Sequence, residues 1–210
     1  MASIPDQLLS SDGPHPAWEV ALLFPNQGDW SEDDYLALDT NQLVELSNGN
    51  LEVLPMPTLL HQLISRFLFE ALRKFSLGCN SGMVVYAPLP IRIRSKTFRE
   101  PDILFIRQEN LEQGHGRYCN YADLVVEIVS PDREAHKRDY EAKRRDYAEL
   151  GIPEYWIVDP QRDLITVLAL GNDGYVVHGE FSRGDRATSL LLTEFSLDVA
   201  EVLDSGKNPS

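Results

Sequence analysis

The sequence predicts an α/β fold, a mixed sheet flanked by helices, and three observations predict it. Residues 102–106 and 124–129 are short segments, almost wholly apolar, of the kind found in the middle of a sheet. Residues 59–77 carry Leu60, Ile64, Phe67, Leu68, Ala71 and Phe75 at helical spacing, and a second helix is expected from about residue 132 to 150. Beyond Pro153 the segments 154–158, 164–170 and 175–181 alternate with turn residues, a meander that gives the sheet an antiparallel portion.

Taken in order, residues 1–30 hold Pro5, Pro14, Pro16 and Pro25 with little periodicity, and read as an extension that drapes over the domain or is partly disordered. Ser31 followed by Glu32, Asp33 and Asp34 marks a helix start. Segments 42–46 and 51–54 flank Asn48-Gly49, a strong hairpin signal. Gly78 is expected to stop the first long helix, and segments 83–87 and 90–94 read as strands. Gly151 and Pro153 end the second helix. A last short helix is expected after Ser196, followed by a loose tail over 204–210. The folded domain is therefore expected over 31–203.

Composition narrows the function classes. The 210 residues suit one domain, with 43% hydrophobic and 25% charged residues. No run is long and apolar enough to span a membrane, and the first residues lack the basic and apolar regions of a signal peptide, so a cytoplasmic location is expected. Cys79 and Cys119 stand outside any metal-finger spacing. A net charge of -14 argues against a large nucleic-acid surface, yet ten of the 19 basic residues fall into two short runs, 92–99 and 133–145.

Candidate chemistry follows from what burial costs. In Leu124-Val125-Val126-Glu127-Ile128-Val129 only Glu127 is polar. A carboxylate there costs several kcal/mol unless it is paired or coordinated. A basic residue or a divalent cation would each suffice. Asp102 opens the other apolar strand and is either a turn residue or a second acid at the same sheet edge. Two converging carboxylates need a counter-charge, and a divalent metal supplies one. On the following helix His136, Tyr140, Lys143, Tyr147 and Leu150 share one stripe at 3.6 residues per turn. Lys143 then either snorkels to solvent or meets a buried acid, with Asp139 an available partner one turn earlier.

The segments Arg99-Glu100-Pro101-Asp102, Asp123 to Pro131 and Gly151-Ile152-Pro153-Glu154-Tyr155-Trp156-Ile157-Val158-Asp159-Pro160 resemble the putative restriction endonuclease family of the PD-(D/E)XK nuclease superfamily. The resemblance implies a restriction-endonuclease-like mixed sheet, with Asp102 and Glu127 as metal ligands. Val129 stands where the superfamily usually has its lysine; this family carries that lysine on the next helix, which matches Lys143. An early Glu matches Glu45, and a His opening the next helix matches His61, implied as an auxiliary catalytic residue and metal ligand. Asn48-Gly49-Asn50 replaces the family's usual acid-Gly-acid turn. The expected function is a Mg²⁺- or Mn²⁺-dependent endonuclease acting on DNA; the alternative is a catalytically silent module of the same fold that binds a protein or DNA partner. Tyr155, Trp156 and the late strands either fill the core or offer a homodimer interface.

Overall fold

The computed structural model describes residues 24–40, 42–114, 116–131 and 136–207. The described part of the extension, residues 24–30, lies against the first hairpin: Gly28 N and Trp30 N both donate to the Gly49 carbonyl. Trp30 is buried with Tyr35, Val44, Leu46 and Phe98 in a small apolar cluster. Helix α1 (Glu32–Leu36) begins at the expected cap, where the Ser31 hydroxyl accepts from Asp34 N.

Strands β1 (Val44–Ser47) and β2 (Asn50–Val53) form the predicted hairpin. Asn48 and Gly49 have φ of 50° and 80°, the left-handed pair a two-residue turn requires. A Cβ on Gly49 would sit 2.4 Å from the Gly28 carbonyl oxygen, so position 49 admits only glycine. Helix α2 (Leu59–Cys79) runs past Gly78, and Asn80 takes the left-handed cap at φ 49°. Glycine is a stop signal only where the chain must turn left-handed, and here that turn falls two residues later.

Strands β3 (Gly82–Tyr86), β4 (Ile91–Arg94), β6 (Ile103–Arg107) and β7 (Leu124–Ile128) match the expected segments within a residue or two. Strand β5 (Thr97–Arg99) was not predicted; it is three residues long, too short to show alternation. Helix α3 (Lys143–Leu150) is preceded by a π-helical turn, Arg138–Ala142. The expected beginning of this helix, 132–135, lies outside the described residues. Strands β8 (Glu154–Asp159), β9 (Leu164–Gly171) and β10 (Gly174–Ser182) form the predicted meander. Two further short strands, β11 (Arg186–Thr188) and β12 (Ser196–Asp198), lead into α4 (Val199–Asp204), whose cap is Asp198.

The main sheet has the order β10-β9-β8-β7-β6-β3, and a smaller one the order β2-β1-β5-β4. In the main sheet only β7 and β8 are parallel. A parallel pair needs a crossover, and the π turn with α3 supplies it. Side chains of the central strands alternate between two cores. Ile103, Phe105, Leu124, Val126 and Ile128 pack with Ile64, Leu68 and Leu72 of α2. Leu104, Ile106, Val125 and Val129 pack with Tyr147 of α3. Tyr155 and Trp156 are 0% and 2% exposed, one in each core, which removes them as dimer-interface material.

Glu154, buried at the start of β8, ties the chain segment after β11 to the sheet. Its Oε1 accepts from Trp156 Nε1 (2.6 Å) and the Ser189 hydroxyl (2.7 Å), and its Oε2 from Leu190 N (2.7 Å) and Leu191 N (2.8 Å). Glu154→Ala strands four donors and is expected to destabilise the fold by roughly 3–5 kcal/mol, seen as a lower urea midpoint at unchanged m-value.

Candidate active site

Sheet register brings the first two acids together. Ile103 pairs with Val126 in the antiparallel β6–β7 ladder, so Asp102 lies one step on, opposite Glu127. The Ile128 N–H donates to Asp102 Oδ2 at 2.7 Å. His61, in the first turn of α2 behind its Thr58 cap, brings Nε2 to within 3.1 Å of the same oxygen. Asp102 Oδ1 has no protein partner among the described residues. Burial alone would lower the His61 pKa, but the bond and charge of Asp102 outweigh it and raise it.

Lys143 supplies the cation that Glu127 needs. Its Nζ lies 2.8 Å from Glu127 Oε2, 3.2 Å from Glu45 Oε1 and 3.7 Å from Asp139 Oδ1, with the side chain only 3% exposed. The remaining Glu127 oxygen, Oε1, accepts from the Tyr147 hydroxyl at 2.5 Å. Lys143 and Tyr147, one turn apart on α3, therefore hold the two oxygens of one carboxylate. The π turn changes the helix phase ahead of them. Asp139, four residues before Lys143, is buried beside it. The stripe expected from His136 onward holds at Tyr140, Lys143 and Tyr147 and fails at His136, whose side chain is 48% exposed ahead of the π turn, which inserts one residue into the repeat.

Glu45 enters from the smaller sheet and is fully buried. Leu46 pairs with Phe98, which puts Glu45 across from Arg99. Arg99 Nη1 binds Glu45 Oε2 at 2.8 Å, Arg99 Nε binds Asp146 Oδ2 at 2.8 Å, and the Glu100 N–H donates to Glu45 Oε1 at 3.0 Å. Burial alone would raise the Glu45 pKa, but Lys143 and Arg99 outweigh it and hold it below the usual value.

Four of the five residues expected from the sequence, His61, Asp102, Glu127 and Lys143, thus line one cavity, and Glu45 is buried behind it against Lys143. The cavity is about 200 Å³, lined by His61, Glu100, Asp102, Glu127, Asp139 and Lys143 on its polar side and by Leu43, Leu54, Met56, Pro57 and Pro88 on the other. It holds more acids than cations. Burial raises the Glu127 and Asp139 pKa values, in each case against the pull of Lys143, and raises Glu100 to about 7. Among the described residues, Asp139 Oδ1 and Glu100 Oε2 are buried without a hydrogen-bond partner. Among the described residues no three His, Cys, Asp or Glu side chains form a metal cage by themselves. Mg²⁺ commonly takes one or two carboxylates and keeps several waters, so the Asp102–Glu127 pair and the surplus negative charge fit a divalent ion.

The sequence reading missed Arg99, Asp146 and Glu100 as site residues. Arg99 and Glu100 belong to the quoted Arg99-Glu100-Pro101-Asp102 segment, so their signal was present. Asp146 had none, because an acid directly after Arg144 and Arg145 on a helix reads as a solvated charge.

No curated relative matches the chain. A solved structure from Anabaena variabilis ATCC 29413, described as a putative nuclease belonging to DUF820, superposes with a TM-score of 0.69. It shares 16% identity, and the match covers 84% of this chain and 98% of that one, so it speaks for a common fold. A family model described as Uma2, putative restriction endonuclease, matches residues 32–200. That span takes in every residue of the site, and the chain belongs to this family.

Proposed function

We propose that the protein is a metal-dependent endonuclease that hydrolyses DNA phosphodiester bonds. One observation carries the reading: Asp102 and Glu127 stand opposite each other on neighbouring strands at an open cavity, with the Lys143 ammonium 2.8 Å from Glu127. Asp102 and Glu127 are the residues that would hold Mg²⁺ or Mn²⁺. When bound, the ion would polarise the phosphate and lower the pKa of a coordinated water.

The chain's own residues do the rest. His61 and the Ile128 N–H fix the orientation of Asp102 through one oxygen, leaving the other without a partner among the described residues. Because His61 Nε2 is engaged with Asp102, His61 serves this reading as a positioning residue rather than a ligand. Lys143 places a fixed positive charge where negative charge develops on the phosphate, and it is held there by Glu45 and Asp139. Glu45 acts through Lys143. A net charge of -14 implies few backbone contacts and strong salt sensitivity.

A second reading is favoured by a specific observation. Both Glu127 oxygens already have protein partners, as in a site that has become a structural ion pair. The protein would then be a silent module of the same fold that binds a protein or DNA partner.

Two measurements separate these readings. With Mg²⁺ or Mn²⁺ the wild type is expected to cut plasmid or single-stranded DNA, and Asp102→Ala, Glu127→Ala or Lys143→Ala each to lose at least about 100-fold in rate. Absence of metal-dependent cleavage sinks the enzyme reading. In a Mg²⁺ titration the melting temperature should climb with concentration in the wild type and stay flat in Asp102→Ala, since an ion that binds only the folded state stabilises it by mass action. A flat wild-type curve favours the silent module.

A further inference from the structure

A larger groove, of about 650 Å³, adjoins the site and has no part in the chemistry above. Most of its charges are already matched. Arg94 binds Asp146 at 2.8 Å and Glu149 at 2.9 Å, and Arg99 binds Asp146 and, at 3.5 Å, Glu52. Lys137 and Arg145 are exposed on the outer face of the π turn and α3 and enter no ion pair among the described residues. One acid of the groove, Glu141, is likewise unmatched, so the unpaired charge is positive. Arg138 lines this groove and the catalytic cavity alike. Its Nε is buried with no hydrogen-bond partner among the described residues, the Asp139 carboxylate lying 3.6 Å away. Groove and cavity thus meet at one guanidinium whose bonding capacity is not used up by the protein.

We propose that this groove carries the phosphate backbone of a nucleic-acid strand into the site, with Lys137 and Arg145 contacting phosphates and Arg138 contacting the phosphate at the junction. The choice of nucleic acid rests on the nuclease reading of the site. The rest follows from charge. A chain of net -14 repels a polyanion over most of its surface, so a strand must approach where unpaired cations outnumber acids. Lys137 and Arg145 are eight residues apart, about 12 Å along a helix. That is the length of three or four stacked nucleotides at ~3.4 Å each. Guanidinium and ammonium groups that lack carboxylate partners are also those free to displace counterions from phosphates.

The test measures binding of a short fluorescent oligonucleotide to the full chain by anisotropy. Ca²⁺ replaces Mg²⁺ so that the strand stays intact, and salt is varied between about 50 and 200 mM. Lys137→Ala/Arg145→Ala should weaken binding about tenfold or more and flatten the log-affinity against log-salt slope by roughly 1.4–1.8, at 0.7–0.9 per lost phosphate contact. Arg73→Ala/Lys74→Ala removes the same charge from exposed positions of α2 and should leave the slope unchanged. An unaltered slope in the groove variant overturns the proposal, as does an equal loss in the α2 variant. Failure of the wild type to bind the strand overturns it too, and so does equally strong binding of a polyglutamate peptide. A wild type that binds through Lys137 and Arg145 yet cuts no DNA supports the groove while removing the nuclease reading.

Discussion

The buried ammonium of Lys143 is the interaction on which the rest of the site depends. Taking a lysine out of water costs several kcal/mol, and only close, multiple carboxylate contacts offset it. Glu127, Glu45 and Asp139 provide those contacts from three separate elements: the central strand β7, the first hairpin and the π turn. One side chain therefore fixes the small sheet and the crossover segment against the main sheet. Tyr147 reinforces the arrangement from the next turn of α3.

Arg99 extends the same logic outward. Glu45 cannot serve Lys143 unless its second oxygen is also satisfied, and Arg99 does this while tying in Asp146 of α3. The result is a chain of alternating charges, Glu127–Lys143–Glu45–Arg99–Asp146, running from the cavity to the larger groove. Cooperative networks of this kind are rigid when every member is paired. This one is complete except at the cavity, where Asp139 and Glu100 each keep a buried oxygen without a partner among the described residues. The unsatisfied end is the end that faces the candidate chemistry, as expected where a polar cluster has a use other than holding the fold together.

Much of this could be read from the residues alone, and the reasons for the gaps are specific. Long periodic segments such as 59–79 and the doubly apolar strands around Glu127 declare themselves, because burial on one or both faces dictates their pattern. Strands β5, β11 and β12 have three residues each and no pattern to declare; β5 is created by pairing with β4 and with the distant β1, and β11 and β12 by pairing with each other. Glu127 was legible from cost, since a lone acid in an apolar strand must have a partner. The helical stripe pointed to the partner as well, since Lys143 and Tyr147 share its packed face; only His136, ahead of the π turn, falls off it. Asp146 was invisible because its role depends on Arg99 arriving from another sheet.

Glu127 and Asp102 also divide the labour of the site unequally. Both Glu127 oxygens are held, by Lys143 and Tyr147, so its position is fixed before anything binds. Asp102 is anchored through one oxygen only, with the other free of partners among the described residues. An incoming cation therefore meets one carboxylate with an open oxygen and one that must share an oxygen with a donor it already has. Sharing is electrostatically favourable on one side alone: the Tyr147 hydroxyl is neutral, whereas Lys143 carries a full charge that a divalent ion would repel. On the Tyr147 side, however, Glu127 Oε1 lies against a wholly buried hydroxyl. Asp102 is thus the carboxylate less encumbered by the protein, and Glu127 is the one whose place the protein has already fixed.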